Sequence, residues 1–225
     1  MISVVIPAHN EAGYLPATLE ALNRQNYPAF EVIVVANGCS DATEQVAQGR
    51  CHRLIVLSTK GLGTARNLGA RVAHGDLLLF LDADTLLEPM ALRRIAQDFS
   101  PADAAGTLHA RPDSDRLACH LIYSGKNFLH RWKLHSGSSG VILCWRRQFL
   151  EAGGFDEGLE VRENSELIRR LKQHGRYKYI SDVTATTSMR RYEQCGVGRV
   201  LWLWCKLWLQ SIFGDLHQRH YEAVR

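Results

Sequence analysis

Short apolar runs alternate along the first half of the chain with segments whose apolar residues recur every three or four positions. Nearly continuous apolar runs are typical of strands that are covered on both faces of a parallel sheet. Strand–helix–strand alternation requires crossover connections, so the pattern predicts an α/β sheet with helices on both faces. The predicted strands are Ile2–Ala8, Glu31–Asn37, Arg53–Ser58 and Leu77–Asp82. Helical spacing links Leu15, Leu19 and Leu22, then Leu68 and Val72, then Leu92, Ile95 and Phe99.

The pattern is less regular after Ala110. Residues 114–135 are predicted to form a helix or an irregular connection that contains Leu117, Leu121 and Phe128. A glycine-rich SGSSG, a strand-like VILCW and a turn EAGGFDEG follow, and then a helix is predicted over Glu163–His174 with Leu167 and Leu171 facing inward. We expect one domain over residues 1–190, whose halves 1–110 and 111–190 share one sheet, and a helical segment at 191–225.

Composition and charge narrow the class of protein. The chain has 225 residues, 46% of them hydrophobic, and no fixed repeat, which excludes collagen-like, coiled-coil and disordered proteins. Residues 1–110 carry 8 basic and 11 acidic side chains, whereas residues 111–225 carry 19 and 12. An acidic half suits a metal ion, and a basic half suits an anionic partner such as lipid headgroups or a phosphorylated acceptor. No basic stretch is interleaved with aromatic residues, so nucleic acid is not expected as a partner.

The cysteines and the amino terminus predict a location. The six cysteines are widely spread without a C-x-x-C pair, and MISVVIPAHNE lacks a basic leader and a long apolar stretch. We therefore expect reduced thiols and a cytoplasmic protein, either free or peripheral on the cytoplasmic membrane face. The cysteines are Cys39, Cys51, Cys119, Cys144, Cys195 and Cys205.

The segment LLLFLDADT at residues 77–85 carries the strongest chemical signal. Residues i and i+2 of a strand point to the same face, so Asp82 and Asp84 would place two carboxylates side by side where the strand ends. Such oxygen ligands suit Mg²⁺ or Mn²⁺, which completes its octahedron with phosphate and water. The alternative is that Asp84 or Thr85 caps a helix beginning near Glu88–Pro89.

Polar residues that follow the other predicted strands should converge on the same sheet edge, where such folds bind ligands. Gly61 and Gly63 precede a helix that has Arg66 in its first turn, an arrangement that suits an anion. Taken singly, Asn10 and Asp41 are candidate helix caps. Strand one ends in Pro7, Ala8, Asn10 and Glu11, and strand two in Asn37, Gly38, Ser40, Asp41 and Thr43.

In their order and spacing, several segments resemble the family 2 glycosyltransferases with the GT-A fold. They are SVVIPAHNE, EVIVVANGCSDAT, ARNLGARVAHGDLLLFLDADT, GGFDEGLEVRENSEL and RRLKQHG, and they span roughly residues 1–190. The resemblance implies a Rossmann-like, mostly parallel sheet with helices on both faces. It also implies transfer of a sugar from a nucleoside diphosphate sugar, with residues 1–110 as the nucleotide-sugar half and 111–190 as the acceptor half.

The resemblance also implies roles for individual residues. The metal, Mn²⁺ or Mg²⁺, is expected on Asp82 and Asp84, and the catalytic residues are expected to be Glu163 and Asp84. Arg190 and Arg191 resemble a region that can approach the donor phosphates, or else they are surface residues. Donor contacts are expected from Pro7, Ala8, Glu11, Asn37, Arg66, Asp82 and Ala83.

Two positions depart from the family pattern. Ala36 stands where an aspartate usually accepts the uracil N3 hydrogen, so either Asn37 accepts it or the base is not uracil. Asn164 stands in the usual Glu-Asp pair, and an amide cannot take a proton from a hydroxyl. Glu163 is therefore the expected base, and Glu166 lies one helical turn away as the alternative. If both only pair with neighbouring arginines, a retaining mechanism or an inactive enzyme follows.

The segment Val197–Phe213 contains Trp202, Trp204 and Trp208. We predict an amphipathic helix that lies in a membrane interface. The alternatives are packing against the protein's own sheet or a second subunit, and a true membrane span, which the central Lys206 disfavours.

The sequence as a whole predicts a metal-dependent, inverting glycosyltransferase. Its donor is a nucleoside diphosphate sugar and its acceptor is a glycan or lipid-linked molecule, or another one close to a membrane. Because of Ala36 and Asn164, the alternative is a non-catalytic, membrane-associated nucleotide-sugar-binding partner protein. Nucleotidyl transfer is disfavoured, since the chain lacks a glycine- and lysine-rich amino-terminal loop for a triphosphate. The sugar, the nucleotide, the acceptor, the anomeric outcome and the oligomeric state are not specified by the sequence.

Overall fold

The computed structural model describes residues 1–132, 134, 136–138, 140–159, 162–196, 198, 199 and 202. The strands in chain order are β1 Ile2–Ala8, β2 Phe30–Asn37, β3 Arg53–Leu57, β4 Leu77–Leu81, β5 Thr85–Leu87, β6 Asp103–Pro112, β7 Val141–Trp145 and β8 Arg176–Thr187. The helices are α1 Leu15–Asn23, α2 Thr43–Ala47, α3 Leu62–Val72, α4 Ala91–Asp98, α5 Leu117–Arg131, α6 Arg146–Glu151, α7 Glu163–Leu171 and α8 Arg190–Cys195.

The described strands form one eight-stranded sheet in the order β3-β2-β1-β4-β7-β6-β8-β5. Strands β1 to β4 are parallel to one another, and β6 is parallel to β8. Strand β7 is antiparallel to β4 and to β6, and β5 is antiparallel to β8. Strands β1, β2, β4, β6 and β8 therefore run in one direction, and their carboxyl ends lie at one edge. This confirms the predicted α/β class with a mostly parallel sheet, since there are more parallel than antiparallel pairings.

Alternate residues of the central strands pack on opposite faces of the sheet, as the strand period of two requires. On one face, Val4 and Ile6 of β1 pack with α1, and on the other face Val5 packs with α3. Strands β2 and β4 alternate in the same way. Both faces of the central strands are consequently buried by helices, which explains their nearly continuous apolar sequence.

Helix α3 packs through its small residues rather than through its large ones. Leu68 and Val72, the two residues with helical spacing, are only partly buried, whereas Ala65 and Ala70 are fully buried. A Cβ added at Gly69 would lie 2.4 Å from Val5 Cγ1 of β1. The helix backbone can approach the sheet this closely only because residue 69 lacks a side chain.

Three strands, β5, β6 and β8, are not revealed by the apolar pattern. Strand β5, at Thr85–Leu87, lies between Asp84 and the position near Glu88–Pro89 where the helix-cap alternative begins a helix. That alternative is wrong, because the next helix begins only at Ala91. Helix α7 begins at Glu163 as predicted and ends at Leu171, and its Leu167 and Leu171 are buried as predicted.

Helix α5 forms within the region predicted as a helix or an irregular connection. One face packs against α8, where Cys119 and Tyr123 contact Met189 and Tyr192. The other face carries large apolar side chains that are exposed, and we call them the apolar stripe. It consists of Leu117, Leu121, Phe128 and Trp132, which are 74%, 63%, 56% and 64% exposed.

A side-chain amide attaches α5 to the sheet. Asn127 Nδ2 donates to the Ala110 carbonyl at 2.7 Å, and Asn127 Oδ1 accepts from the Ala110 amide at 3.0 Å. Strand β7 is in register with β6 only at the pair Gly106 and Leu143. Asn127 therefore takes the place of a strand neighbour beside the carboxyl end of β6.

The predictions for the carboxyl-terminal segment are mostly not addressed by the fold. Most of Val197–Phe213, with Trp204, Lys206 and Trp208, lies outside the described residues, as does Cys205. Within the described ranges, no helix is both long and apolar enough to cross a membrane. The division of the chain at residues 110 and 190 stays a prediction.

Candidate functional site

The loops that follow β1 and β2 are joined through Asn37. Its Nδ2 donates to the Ala8 carbonyl at 3.0 Å, and its Oδ1 accepts from the Gly61 amide at 3.1 Å. Gly38 has a φ of +62°, and a Cβ there would lie 2.7 Å from the Lys60 backbone nitrogen, so no other residue fits without strain. Asn37 thus holds together the end of β1, the end of β2 and the start of α3.

Asp41 and Asn10 support the same two loops. Asp41 Oδ2 accepts from the Ala12 amide and Oδ1 from the Thr43 amide, both at 3.0 Å. Burial alone would raise the pKa of Asp41, but hydrogen bonds from Thr43 and Ala12 outweigh it and lower the pKa. Asn10 Oδ1 accepts from the Ser40 amide at 2.8 Å. Both residues therefore brace these loops. The alternative that they cap helices is wrong, because the cap residues of α1 and α2 are Tyr14 and Ala42, and neither cap position has a side-chain hydrogen bond.

The Asp-x-Asp pair lies at the end of β4, where β8 and the residues before β7 meet it. The Asp82 amide donates to the Gly140 carbonyl at 3.0 Å, and the Asp84 carbonyl accepts from the Ser188 amide at 3.2 Å. Between them, the Ala83 carbonyl accepts from Thr18 Oγ1 at 2.7 Å. The Asp82 side chain is 40% exposed and that of Asp84 is 16% exposed. The backbone of this motif is consequently fixed, while one carboxylate remains open to ligands.

Arg66 connects the metal motif with the candidate base. Its Nη2 lies 3.0 Å from Asp82 Oδ1, and its Nη1 lies 3.1 Å from Glu163 Oε1 and 2.9 Å from Asn164 Oδ1. The guanidinium also lies 5.0 Å from the Phe155 ring centroid. Its side chain is 4% exposed, and its Nε has no hydrogen-bond partner among the described residues. One buried guanidinium therefore brings together residues from both halves of the chain.

A second arginine connects the first loop with the other aspartate. Arg190 binds both carboxylate oxygens of Glu11, at 2.8 and 2.5 Å, and its Nη2 lies 3.2 Å from Asp84 Oδ2. The Tyr14 ring centroid lies 4.5 Å away. Burial alone would lower the pKa of Arg190, but the carboxylates of Glu11 and Asp84 raise it. Arg190 is thus part of the site rather than a surface residue.

Asp84 lies in an environment that is strongly unfavourable to its own negative charge. Burial is the main cause that raises its pKa to about 7, and the neighbouring charges of Asp82 and Glu11 raise it further, while Arg190 opposes them. A cation relieves crowding of this kind. Asp82 and Asp84 fit Mg²⁺ or Mn²⁺, which typically binds one or two carboxylates and takes its other ligands from phosphates and water. Within the described residues, no three Asp, Glu, His or Cys side chains form a complete metal cluster.

The two candidate bases have different partners. Glu163 is buried at the start of α7 and contacts Arg66, so it lies at the site. Glu166 instead receives hydrogen bonds from Arg169 and Arg170 of its own helix, the shortest at 2.6 Å from Arg170 Nη2. Glu166 is therefore a helix-face residue, as one alternative had it, whereas Glu163 is not.

Sequence reasoning missed Asn67, which attaches the glycine-rich turn to α3. Its Nδ2 donates to the Phe155 carbonyl at 2.9 Å, and its Oδ1 accepts from the Phe155 amide at 2.8 Å. Asn67 follows Arg66 directly, and both residues are buried. The available signal was an arginine and an asparagine next to each other in a predicted helix of small residues. If that helix packs closely on the sheet, polar side chains within it become buried and need partners.

Comparisons with known proteins find relatives that match most of this chain. An uncharacterized glycosyltransferase of Haemophilus influenzae is 36% identical over 193 residues, which is 77% of this chain and 62% of that protein. The chondroitin synthase of Escherichia coli is 24% identical over 196 residues, which is 81% of this chain and 28% of that protein. The chain thus spans less than two thirds of the length of these relatives.

Solved structures with about a fifth of their residues identical share the fold. S. aureus TarS 1-349 in complex with UDP-GlcNAc has a TM-score of 0.68 and 19% identity, covering 98% of this chain and 61% of that one. The mannosyltransferase PcManGT of Pyrobaculum calidifontis, in complex with GDP-Man and Mn²⁺, has a TM-score of 0.66 and 20% identity, covering 82% and 56%. The family model for glycosyl transferase family 2 matches residues 3–195. Because that match covers far more than half of the chain, the chain belongs to glycosyl transferase family 2.

Proposed function

We propose that this chain transfers a sugar from a nucleoside diphosphate sugar to an acceptor hydroxyl, with a divalent metal and with inversion at the anomeric carbon. The observation that carries the proposal is the bridge from Asp82 through Arg66 to Glu163. It joins a residue suited to the donor diphosphate with one suited to the acceptor proton. These two functions must meet at the bond that is transferred.

The donor contacts that we propose are the predicted ones at the sheet edge: Pro7, Ala8, Glu11, Asn37, Arg66, Asp82 and Ala83. The structures of TarS with UDP-GlcNAc and of PcManGT with GDP-Man support a nucleotide-sugar donor. Asn37 Oδ1 already accepts from the Gly61 amide, and a carbonyl oxygen has two lone pairs. Recognition of a base N–H by Asn37 would therefore use the second one.

Asp82 and Asp84 would hold the metal in this proposal, and the metal would neutralise charge on the departing diphosphate. The chain adds two guanidiniums at the same place, Arg66 and Arg190. Each contacts one of the two aspartates, and each can form charge-assisted hydrogen bonds with phosphate oxygens. We propose that both arginines orient the diphosphate so that its leaving oxygen lies opposite the acceptor.

We assign the acceptor proton to Glu163. Arg66 contacts its Oε1, which leaves Oε2 as the oxygen that takes the proton from the acceptor hydroxyl as it attacks. A carboxylate positioned in this way contributes about 10²- to 10⁴-fold to the rate. Inversion follows because the acceptor oxygen attacks opposite the leaving diphosphate and no enzyme nucleophile intervenes.

The decisive experiment measures donor binding and sugar transfer separately in three variants. Asp84→Asn should weaken donor binding in Mn²⁺ and abolish transfer. Glu163→Gln should retain donor binding but lose transfer by about 10²-fold or more. The control is Glu166→Gln, which changes a glutamate of the same helix that pairs only with arginines of α7 and should transfer normally. Unchanged transfer in a chelator, or full activity of Glu163→Gln, would contradict the proposal.

A donor screen by thermal shift would identify the nucleotide. UDP-, GDP- and CDP-sugars are compared in the presence of Mn²⁺, and the cognate donor should raise the melting temperature most because it binds only the folded state. A second candidate function, a non-catalytic nucleotide-sugar binder, is supported by Asn164, whose amide accepts from Arg66 and donates to Ser138. Calorimetry that detects donor binding without turnover across a broad acceptor panel would favour it.

The apolar stripe on α5 supports an acceptor that is lipid-linked or close to a membrane. Its four exposed side chains lie on one helix face that ends in Trp132, and exposed apolar faces with a tryptophan suit lipid interfaces. We expect the full chain to sediment with phosphatidylcholine vesicles that contain anionic lipid, and Leu121→Ser with Phe128→Ser to reduce this. The control is Leu150→Ser, an exposed leucine of α6. Equal sedimentation of both variants would contradict a role for the stripe.

A further inference from the structure

A cavity of about 520 Å³ lies between β6, β8 and α5, outside the site described above. Its polar lining is mostly cationic or hydrogen-bond donating, and none of the residues that line it is acidic. Phe128 of the apolar stripe forms part of its wall. The side chains that matter for its chemistry are His109, Arg111, His120, Arg131 and Tyr179.

At the donor site, Arg66 and Arg190 form ion pairs with carboxylates, and the arginines in this lining differ from them. Arg111 and Arg131 are exposed, and neither forms an ion pair with a carboxylate in the described part of the chain. Two acidic residues, Asp113 and Asp182, are sequence neighbours of lining residues, and both accept hydrogen bonds. Asp113 accepts from the Met189 amide at 2.7 Å, and Asp182 accepts from the Ser181 hydroxyl at 2.9 Å. These hydrogen bonds do not cancel the two negative charges, and the charge of Glu88 also acts on His109. No carboxylate pairs directly with Arg111 or Arg131 in the described part of the chain, however, so both guanidiniums can pair with an anion.

A tyrosine and a histidine in the lining are hydrogen-bonded to each other, which leaves the histidine as a donor to a ligand. The Tyr179 hydroxyl lies 2.9 Å from His109 Nδ1. Burial raises the pKa of Tyr179 to about 12, against the opposing effect of Arg131, so the phenol keeps its proton near neutral pH. Burial has the opposite effect on His109 and lowers its pKa. The charge of Glu88 opposes this shift, and the charge of Arg111 adds to it. When Tyr179 donates to Nδ1 of a neutral His109, Nε2 carries the remaining ring hydrogen.

The cavity lies beside the metal motif. Pro112, at its wall, is in register with Thr187 of β8, and Thr187 is in register with Thr85, the residue after Asp84. Tyr123 also lines the cavity and forms a side-chain hydrogen bond with Thr187. The negative charges of Asp84 and Asp82 contribute to the raised pKa of Tyr123, after burial and Tyr192. A ligand that fills the cavity would thus extend toward the carboxylates from the acceptor half.

We propose that this cavity binds an anionic group, a phosphate or a carboxylate, on the sugar acceptor. The inference rests on the transfer reaction proposed above, since that reaction requires an acceptor at this edge. Arg111 and Arg131 would pair with the anion, and guanidiniums are well matched to phosphate and carboxylate oxygens. Phe128 would contact the apolar portion of the acceptor next to the anion.

The test uses the full chain and the double variant Arg111→Gln with Arg131→Gln, both of which are exposed positions. Phenyl phosphate is the soluble probe, and phosphatidylcholine vesicles with and without phosphatidic acid are the lipid probe. The double variant should bind phenyl phosphate, or the anionic vesicles, about tenfold or more weakly than the unaltered chain, because two charge-assisted hydrogen bonds are lost. The control with the same charge change is Arg94→Gln with Arg147→Gln, two exposed arginines on α4 and α6, and it should bind as the unaltered chain does.

The outcomes separate this inference from the proposed function. A loss confined to phenyl phosphate indicates a soluble phosphorylated acceptor, and a loss confined to vesicles with phosphatidic acid indicates a lipid headgroup. Binding of neither probe, or equal binding by the double variant, would overturn the inference. Donor-induced thermal shift is measured in the same samples and should not change. If no donor binds the unaltered chain, the proposed function fails, whereas a loss of anion binding in the double variant still supports the cavity.

Discussion

Arg66 is the residue on which most of the candidate site depends. Its contacts join Asp82 at the end of β4 to Glu163 and Asn164 at the start of α7. The guanidinium is almost fully buried, and so is Glu163. Removal of one member of a buried ion pair leaves the other charge without compensation, which costs more than the pair itself contributes.

We therefore predict that Arg66→Ala lowers the free energy of unfolding by about 3–5 kcal/mol, measured by urea denaturation. The free energy of unfolding of Arg66→Lys should lie between those of Arg66→Ala and the unaltered chain, because an ammonium keeps the charge but cannot span three acceptors as a guanidinium does. Arg24→Ala is the control, since its pair with Glu20 is exposed, and it should change the value by less than about 1 kcal/mol. Equal effects of Arg66→Ala and Arg24→Ala would show that the bridge is not a structural pair.

Glu31 gives the fold a predictable dependence on pH. Burial alone would raise its pKa, but hydrogen bonds from Ser3 and His74 outweigh burial and lower it. A group whose pKa is lower in the folded state stabilises the fold above its unfolded pKa, and this contribution is lost as the pH falls through the folded value. Glu31→Gln should therefore destabilise the protein at neutral pH, and the difference should shrink in acid.

Urea denaturation of both proteins at about pH 7 and about pH 3.5 measures this effect, since these values lie on either side of a typical glutamate pKa. Glu20→Gln, at an exposed position of α1, serves for comparison and should change the unfolding free energy by less than about 1 kcal/mol at either pH. A difference for Glu31→Gln that is the same at both pH values would contradict the assignment.

The position of a single residue in the site can be predicted from sequence when a local pattern marks it, but not when it depends on a partner far away in the chain. Asp82 and Asp84 are found at the end of a strand because the preceding apolar run marks that strand. The pairing of Arg190 with Glu11 joins positions 179 residues apart, and no local pattern in the chain encodes it. The resemblance placed Arg190 in the correct region, but it could not supply this partner.

At the scale of elements, the strands with a continuous apolar run could be predicted, and those without one could not. Strands β1 to β4 start and end within one residue of the predicted bounds. Strand β8 mixes buried and exposed positions, and its pairing with β6 shifts register between Leu108 and His109. Such a strand shows neither a continuous apolar run nor a strict alternation, so sequence periodicity does not reveal it.

The close approach of α3 to β1 leads to a prediction with a matched pair of variants. Gly69→Ala places a Cβ 2.4 Å from Val5 Cγ1, and forcing such a group into a packed core costs about 1–3 kcal/mol. Gly125 of α5 has no atom within 4 Å of an added Cβ. Gly125→Ala should therefore stabilise the protein by about 0.5–1 kcal/mol, the usual gain in a helix. Urea denaturation measures both, and stabilisation by Gly69→Ala would show that α3 can move away from the sheet at no cost.

At the scale of the whole molecule, Arg190 connects the start of α8 with the first loop and with the metal motif. It pairs with both Glu11 and Asp84. Its loss would leave three carboxylates close together, because Asp82 lies beside Asp84. A metal ion bound at Asp82 and Asp84 should then matter more for the stability of the fold.

We predict that Arg190→Gln lowers the melting temperature in a chelator, and that Mn²⁺ raises it by more in this variant than in the unaltered chain. The reason is that binding only to the folded state stabilises it by mass action, and the variant has lost its competing guanidinium. Arg176→Gln is the control, since Arg176 pairs with Asp103 at the opposite edge of the sheet. Identical Mn²⁺-induced shifts in Arg190→Gln and Arg176→Gln would contradict the placement of the metal.

The hydrogen bonds of Asn127 also have a consequence for how copies of this protein behave toward one another. Beyond Gly106, the side of β6 that faces away from β8 no longer has β7 in register with it, and bare strand edges recruit strands from other molecules. By occupying both backbone groups of Ala110, a single amide makes that edge unavailable for intermolecular pairing. Asn127 thus blocks one point at which a strand of another molecule could add to the sheet.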